Sequence, residues 1–409
     1  MAIIFVLDID GVLVTPGGYR TALKRTISHF LSCAGLPEDF NLTEDEIGTF
    51  EAHSITSEWD LVALTFAMIF DQALENKDLT FHSLEQACEW MRNSKPPLTR
   101  PAYTAQISKW LEMRIPQLPV ADSLFVRIED KLPSHPFPNL IKQPFAREIL
   151  ANTRDFSANP MSRVFQNHVL GKKLFTQYYP GLPALNVEST LEKYDTPNIP
   201  SKLQAEISLL IKSGKLRASA MTLRPNYFNG ISLNGNQYRA GFSPEAEIAL
   251  QMCGLDGIPL IGYGSLLWAG EEYHLSIDEI IKPSPFHGLV AIIAGFTNLA
   301  RALRLSHYLY RKKGYSPSAQ DFRDELNQCL PEEPIHLHLF EDSPNGIKAI
   351  KDAAQILQKE GWQVTTHLWG ITSHPQKKEA LEKLGALVFP ATGQALQIAL
   401  ESAGFHRKT

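Results

Sequence analysis

The run Ile3-Ile4-Phe5-Val6-Leu7-Asp8-Ile9-Asp10-Gly11 constrains this chain more than any other stretch. Five consecutive apolar residues, three of them β-branched, predict a strand buried on both faces, and such strands belong to parallel sheets covered by helices on either side. Two carboxylates follow at once. In open α/β sheets ligands collect beyond the carboxyl ends of the strands, and Asp8 and Asp10 stand at such an end. Spaced by two, they project to the same side if the chain stays extended, and Gly11 lets the backbone turn tightly and approach an anion closely.

The far end of the chain repeats the pattern in Ile335-His336-Leu337-His338-Leu339-Phe340-Glu341-Asp342-Ser343-Pro344-Asn345-Gly346-Ile347. An alternating apolar strand again ends in two acids, and a Ser-Pro-Asn-Gly turn opens a helix toward the strand end. The two acidic pairs together offer several hard oxygens. Mg²⁺ takes a small number of carboxylates and completes its octahedron with water and phosphate, so Asp8, Asp10 and Asp342, with Glu341 nearby, suit it.

These residues resemble the haloacid dehalogenase (HAD) superfamily, specifically its Mg²⁺-dependent phosphatases and sugar-phosphate mutases. Asp8 to Gly11 is similar to the family's first motif, Asp-x-Asp-Gly, and Phe340 to Ile347 to its fourth, Phe-Glu-Asp-Ser-x-x-Gly-Ile. The family also carries a serine or threonine ending a second strand and a lysine before a helix. Arg217-Ala218-Ser219-Ala220-Met221-Thr222 is a strand-like stretch ending in Thr222, with Ser219 as the alternative if the strand ends earlier, and Ile281-Lys282-Pro283-Ser284-Pro285 resembles Lys-Pro-x-Pro.

The resemblance implies a doubly wound, Rossmann-like parallel α/β core and a division of labour at its edge. Asp8 would be the nucleophile that forms an aspartyl-phosphate, and Asp10 would protonate the leaving alkoxide and then deprotonate water. Asp8, Asp342 and residue 10, through its main-chain carbonyl, would hold Mg²⁺. Thr222 and the amides around Gly11 would bind non-bridging phosphate oxygens, and Lys282 would offset charge on Asp8 and the transferred group. Glu341 would sit in the metal's outer shell or hold Lys282. The function implied is hydrolysis of small phosphate monoesters; a sugar-phosphate mutase and a HAD-fold binding or regulatory protein that has lost catalysis are the alternatives.

Composition agrees with an enzyme of this kind. At 409 residues, with 44% hydrophobic and 20% charged residues, the chain is long enough for two globular domains. A net charge of -5 gives no basic footprint, so nucleic acid is not expected as a partner. Cys33, Cys88, Cys253 and Cys329 are too widely spaced for a CxxC site, no secretory signal is expected, and Leu61 to Phe70 is too short to span a bilayer. A reducing, cytoplasmic location is expected, without membrane association.

The core motifs bracket a long interruption. Residues 1–14 and 216–409 are expected to form the core, and 15–215 an inserted, mostly helical cap that closes over the site and selects the ester. Helices are predicted over Tyr19 to Cys33, Ser57 to Leu74, Leu84 to Arg92, Ser162 to Tyr178 and Lys202 to Ser213, with an extended, proline-rich segment between Pro116 and Pro144. Val164 to Gly171 resembles cap helices of the phosphoglycolate phosphatase branch, and Arg163, His168, Lys172 and Lys173 are visible there without an assigned role. Arg301, Arg304, Arg311, Lys312 and Lys313 read as a solvated helix face.

Overall fold

The computed structural model describes residues 1–116, 118–129, 135–228, 238–311 and 319–405. They divide into two compact units: the described residues of Met1–Pro16, Asp195–Leu233 and Gly241–Thr409 form one, and those of Gly17–Tyr194 and Asn234–Ala240 the other.

The first unit is built on a six-stranded sheet. Its strands are β1 (Ala2–Leu7), β4 (Arg217–Met221), β5 (Leu260–Ile261), β6 (Ile335–Glu341), β7 (Val364–Ile371) and β8 (Leu387–Phe389). All neighbours pair in parallel, in the order β5-β4-β1-β6-β7-β8. Counting only these six strands, that is the 3-2-1-4-5-6 order of the doubly wound Rossmann-like fold, whose direction reverses between β1 and β6. A short antiparallel ribbon of β2 (Val14–Thr15) and β3 (Thr196–Pro197) joins the strand that leaves the unit to the one that returns.

The alternation of β1 explains why the sheet is covered twice. Ile4 and Val6 enter one apolar cluster with the helices Pro285–Ala294, Leu299–Tyr310 and Pro344–Lys359. Ile3, Phe5 and Leu7 enter another, with Ser201–Lys212, Glu245–Met252 and Thr392–Ser402. Each such buried side chain contributes about 1.5–3 kcal/mol of apolar transfer energy, which favours a central place for β1.

Three local expectations change. Ser201–Lys212, read from sequence as part of the inserted segment, belongs to the sheet unit, because Ile207 is buried in the same cluster as Ile3 and Phe5. The proline-rich segment contains a helix, Val120–Glu129: Pro119 stands just before its first turn, where a missing N–H costs nothing. The apolar run Pro259-Leu260-Ile261-Gly262-Tyr263 reads from sequence as a compact strand, but only β5 forms there, since Gly262 caps a helix, Tyr263–Tyr273.

The second unit is helical. Gly18–Ala34, Glu58–Ala73, Leu84–Ser94 and Pro160–Tyr178 supply most of its core, and Phe66, Phe70, Phe145, Phe165 and Phe175 are completely buried in it. Thr43 and Glu46 form a reciprocal capping box at the start of Glu44–Ala52. Gly171, at φ 69°, kinks the helix Pro160–Tyr178, and a Cβ there would stand 2.4 Å from the Ser189 nitrogen, so only glycine fits. Arg301 and Arg304 both pair with Glu325 on a neighbouring helix of the sheet unit, while Lys312 and Lys313 lie outside the described residues. No helix among the described residues is long and apolar enough to cross a membrane.

Candidate functional site

The carboxyl ends of β1 and β6 meet where the strand order reverses, and the register decides which side chains face each other. Leu7 pairs with Phe340 on one side and Ala220 on the other, so Asp8 comes level with Glu341; its amide donates to the Phe340 carbonyl at 3.0 Å. Asp8, Glu341 and Asp342 each offer a carboxylate oxygen to one group in which all three lie within 4.8 Å of one another. They are the described residues that form such a group.

Lys282 enters from the loop before Pro285–Ala294. Its Nζ lies 2.9 Å from Asp8 Oδ1 and donates to Glu341 Oε2 at 2.7 Å. Glu341 is fully committed, since its other oxygen accepts the Ser343 amide at 3.1 Å and the Ser343 hydroxyl at 2.9 Å. Of the two roles left open from sequence, the structure places Glu341 as the holder of Lys282. Asp342 accepts from Lys377 through Oδ2 at 2.7 Å.

Electrostatics follow from that crowding. Burial pushes the Asp8 carboxyl well above the usual carboxylate range, Glu341 pushes it further, and Lys282 pulls it back. Burial also raises Asp342, opposed by its hydrogen bond from Lys377. Burial works against charge on Lys282, yet Asp8 and Glu341 outweigh it and hold the ammonium protonated. Three carboxylates against one buried ammonium and one half-exposed lysine leave an excess of negative charge among hard oxygen donors, and a divalent cation such as Mg²⁺ fits that donor set. Asp8 and Asp342 are the two carboxylates available to it.

Two expected roles are corrected. The Asp10 carboxylate is not in the cluster: both its oxygens accept from Arg224, through Nε at 2.9 and 3.0 Å and Nη2 at 2.5 Å, so only its main-chain oxygen is left for a metal. The Gly11 amide is spent on the Val14 carbonyl at 2.9 Å and is not free for phosphate. What Gly11 supplies is room, for at φ +75° its missing Cβ would lie 2.8 Å from Asp342 Oδ2. Among the described residues the main-chain hydrogen bonds of this turn use the amides of Gly11, Val12, Leu13 and Val14, and not those of Ile9 and Asp10.

Ser219 and Thr222 are separated cleanly. The Ser219 hydroxyl is buried and donates to the Ala291 carbonyl at 2.7 Å, fastening β4 to a helix. Thr222 stands just past the end of β4, its amide on the Ile261 carbonyl and its oxygen accepting the Arg224 amide at 3.1 Å, with the hydroxyl proton left to donate. Sequence reading missed Arg224, Asp195 and Lys377. The only signal for Arg224 is a basic residue two positions beyond Thr222; its partners lie 214 and 29 residues away.

No protein-family model matches the chain, and no curated protein matches it. A crystal structure of a Northeast Structural Genomics Consortium target matches with a TM-score of 0.58 and 14% identity, over 99% of this chain and 100% of that one. That likeness shows a shared α/β fold with a helical unit, and at such identity it shows the fold alone.

Proposed function

We propose that the chain is a Mg²⁺-dependent phosphomonoester hydrolase of the HAD type, acting on a small phosphorylated substrate through an aspartyl-phosphate on Asp8. The observation that carries this reading is Asp8 at the switch point of the sheet, with Lys282 at 2.9 Å and Asp342 in the same carboxylate group.

The chemistry follows from each group. Mg²⁺, held by Asp8 and Asp342 when bound, supplies the positive charge that lets a phosphate dianion come up to a carboxylate. Asp8 attacks phosphorus, turning one difficult displacement into two easier ones. Lys282, fixed by Glu341, keeps the Asp8 oxygen it touches from facing the incoming phosphate uncompensated, and acts as a point charge on the transferred group. Thr222 and the free amides of Ile9 and Asp10 orient the non-bridging oxygens. Asp10, at the rim, exchanges a proton with the leaving group and then with water.

The test is phosphate release from a panel of phosphomonoesters with and without Mg²⁺, alongside Asp8→Asn. Turnover that needs Mg²⁺ and disappears in a folded Asp8→Asn protein is expected, because an amide of nearly the same shape cannot act as the nucleophile. Wild-type turnover by Asp8→Asn, checked against deamidation, would remove Asp8 from the mechanism.

A further inference from the structure

Arg224 occupies a position that none of the motifs calls for. Its side chain is only 1% exposed, where every other arginine among the described residues is at least partly exposed, and it is held between two carboxylates. Nη1 lies 2.8 Å from Oδ2 of Asp195, whose side chain is wholly buried. The opposite edge of the guanidinium grips Asp10, which is 38% exposed. Asp195 by itself neutralises the buried arginine, so the second edge is not needed to balance its charge. It is a planar fork presented to one rim carboxylate, and a two-point grip of that kind fixes both side-chain torsions of an aspartate where a lysine would fix neither.

We propose that Arg224 is the positioning residue of the proton-transfer step, and that it selects which Asp10 oxygen moves the proton; this rests on the phosphatase reading above. Asp10 Oδ1 accepts from both Nε, at 2.9 Å, and Nη2, at 2.5 Å, while Oδ2 shares only the Nε proton at 3.0 Å. Oδ1 is the anchored oxygen and Oδ2 the working one. In the first step a bond forms from Asp8 to phosphorus, the bond from phosphorus to the leaving oxygen breaks, and the proton on Oδ2 passes to that oxygen. In the second, water attacks phosphorus, gives its proton back to Oδ2, and the bond from Asp8 to phosphorus breaks. Oδ1 stays on the guanidinium throughout. Arg224 is joined to the phosphate side of the site as well, since its amide donates to Thr222 Oγ1 at 3.1 Å.

The test compares kcat/KM for 4-nitrophenyl phosphate and phenyl phosphate with Mg²⁺, because kcat/KM reports transfer to Asp8 and only the poorer leaving group needs the proton. Positioned acid catalysis contributes on the order of 10²–10⁴-fold, so Asp10→Asn is expected to lose about that much on phenyl phosphate and far less on the nitrophenyl ester. Arg224→Gln and Arg224→Lys are expected to lose about tenfold or more on phenyl phosphate, shifting the ratio of the two esters in the same direction. Arg224→Gln added to Asp10→Asn is expected to cost nothing further. Equal losses on both esters, losses that add in the double variant, or wild-type ratios in both Arg224 variants overturn the inference while leaving the phosphatase reading intact. If Arg224→Gln fails to fold, Arg224→Lys, which keeps the charge but not the fork, carries the same comparison. A wild-type protein that hydrolyses neither ester overturns the reading and the inference together.

Discussion

Lys282 sits in an arrangement that is unfavourable by itself and useful as part of a site. Taking an ammonium and two carboxylates out of water costs several kcal/mol per ion, and the attraction among them repays this only when the geometry is good and every remaining lone pair is used. Glu341 meets that condition, with Ser343 on one oxygen and Lys282 on the other. Asp8 does not: its partners leave it raised well above the carboxylate range by burial and by Glu341. The imbalance is concentrated on the residue proposed to attack phosphorus, and a divalent cation shared with Asp342 would relieve it. Asp342→Ala is therefore expected to weaken Mg²⁺ binding by more than about 100-fold, and Glu341→Gln, which acts through Lys282, by about 10–100-fold. Calorimetric titration of Mg²⁺ into each protein measures this without reference to turnover. Equal affinities for Asp342→Ala and wild type would remove Asp342 from the coordination.

At the scale of elements, the helix Pro344–Lys359 shows why the turn after β6 has the sequence it has. Ser343 caps it, and Gly346 lies in its first turn directly against the buried Glu341 carboxylate; a Cβ on Gly346 would fall 1.7 Å from Oε2. A first turn this close to a buried side chain has room only for glycine at that position. Gly346→Ala has to push Glu341 off Lys282, and is expected to cost about 1–3 kcal/mol of stability as an overpacked site, together with most of the activity. Gly48→Ala is the matched control, with nothing within 4 Å of its added methyl and a helical position that favours alanine by about 0.5–1 kcal/mol. Urea unfolding of the pair measures the difference, and equal midpoints would mean that Glu341 tolerates displacement. The ends of β1 and β6 and the helix that opens after β6 were legible because local sequence dictates them. The helix Val120–Glu129 was not, because a proline just ahead of a first turn and a proline in an extended segment look alike until the following hydrogen bonds exist. Ser201–Lys212 was recognised as a helix but given to the wrong unit, since its periodicity says that one face is buried and not against what.

Over the whole molecule, a parallel sheet covered on both faces was readable from β1, because a strand apolar on both faces has few other homes, while the doubly wound order came with the resemblance. The pairing of Asp10 with Arg224 was unreadable, as nothing in either segment says that they meet, and Gly11 was misread because one glycine serves equally to expose an amide or to make room. The histidines show a further property that spans both units. Burial lowers His338 from the ordinary 6.5 to about 3, with His367 and His336 adding to it, and Trp369 donates to its Nδ1 at 3.2 Å. His287 is lowered to about 3 and His168, in the helical unit, to about 4, burial leading in each. Each is held neutral in the folded protein and free to protonate in the unfolded chain. Between the ordinary value and the depressed one the unfolded state binds more protons, so stability is full above about pH 6.5 and is lost as pH falls toward 3–4. Glu247, raised by burial to about 8, has the opposite sign and loses stability as pH rises from its ordinary 4.5 toward 8. A single histidine buried in this way contributes on the order of 1–3 kcal/mol between pH 7 and pH 4. His338→Asn, whose side-chain oxygen can still accept from Trp369, is expected to flatten the fall in urea midpoint over that range by one histidine's worth while changing little at pH 7. A variant whose midpoint fell as steeply as that of the wild type would show that His338 is protonated in the folded state, and that the stack it forms with His367 accommodates the charge.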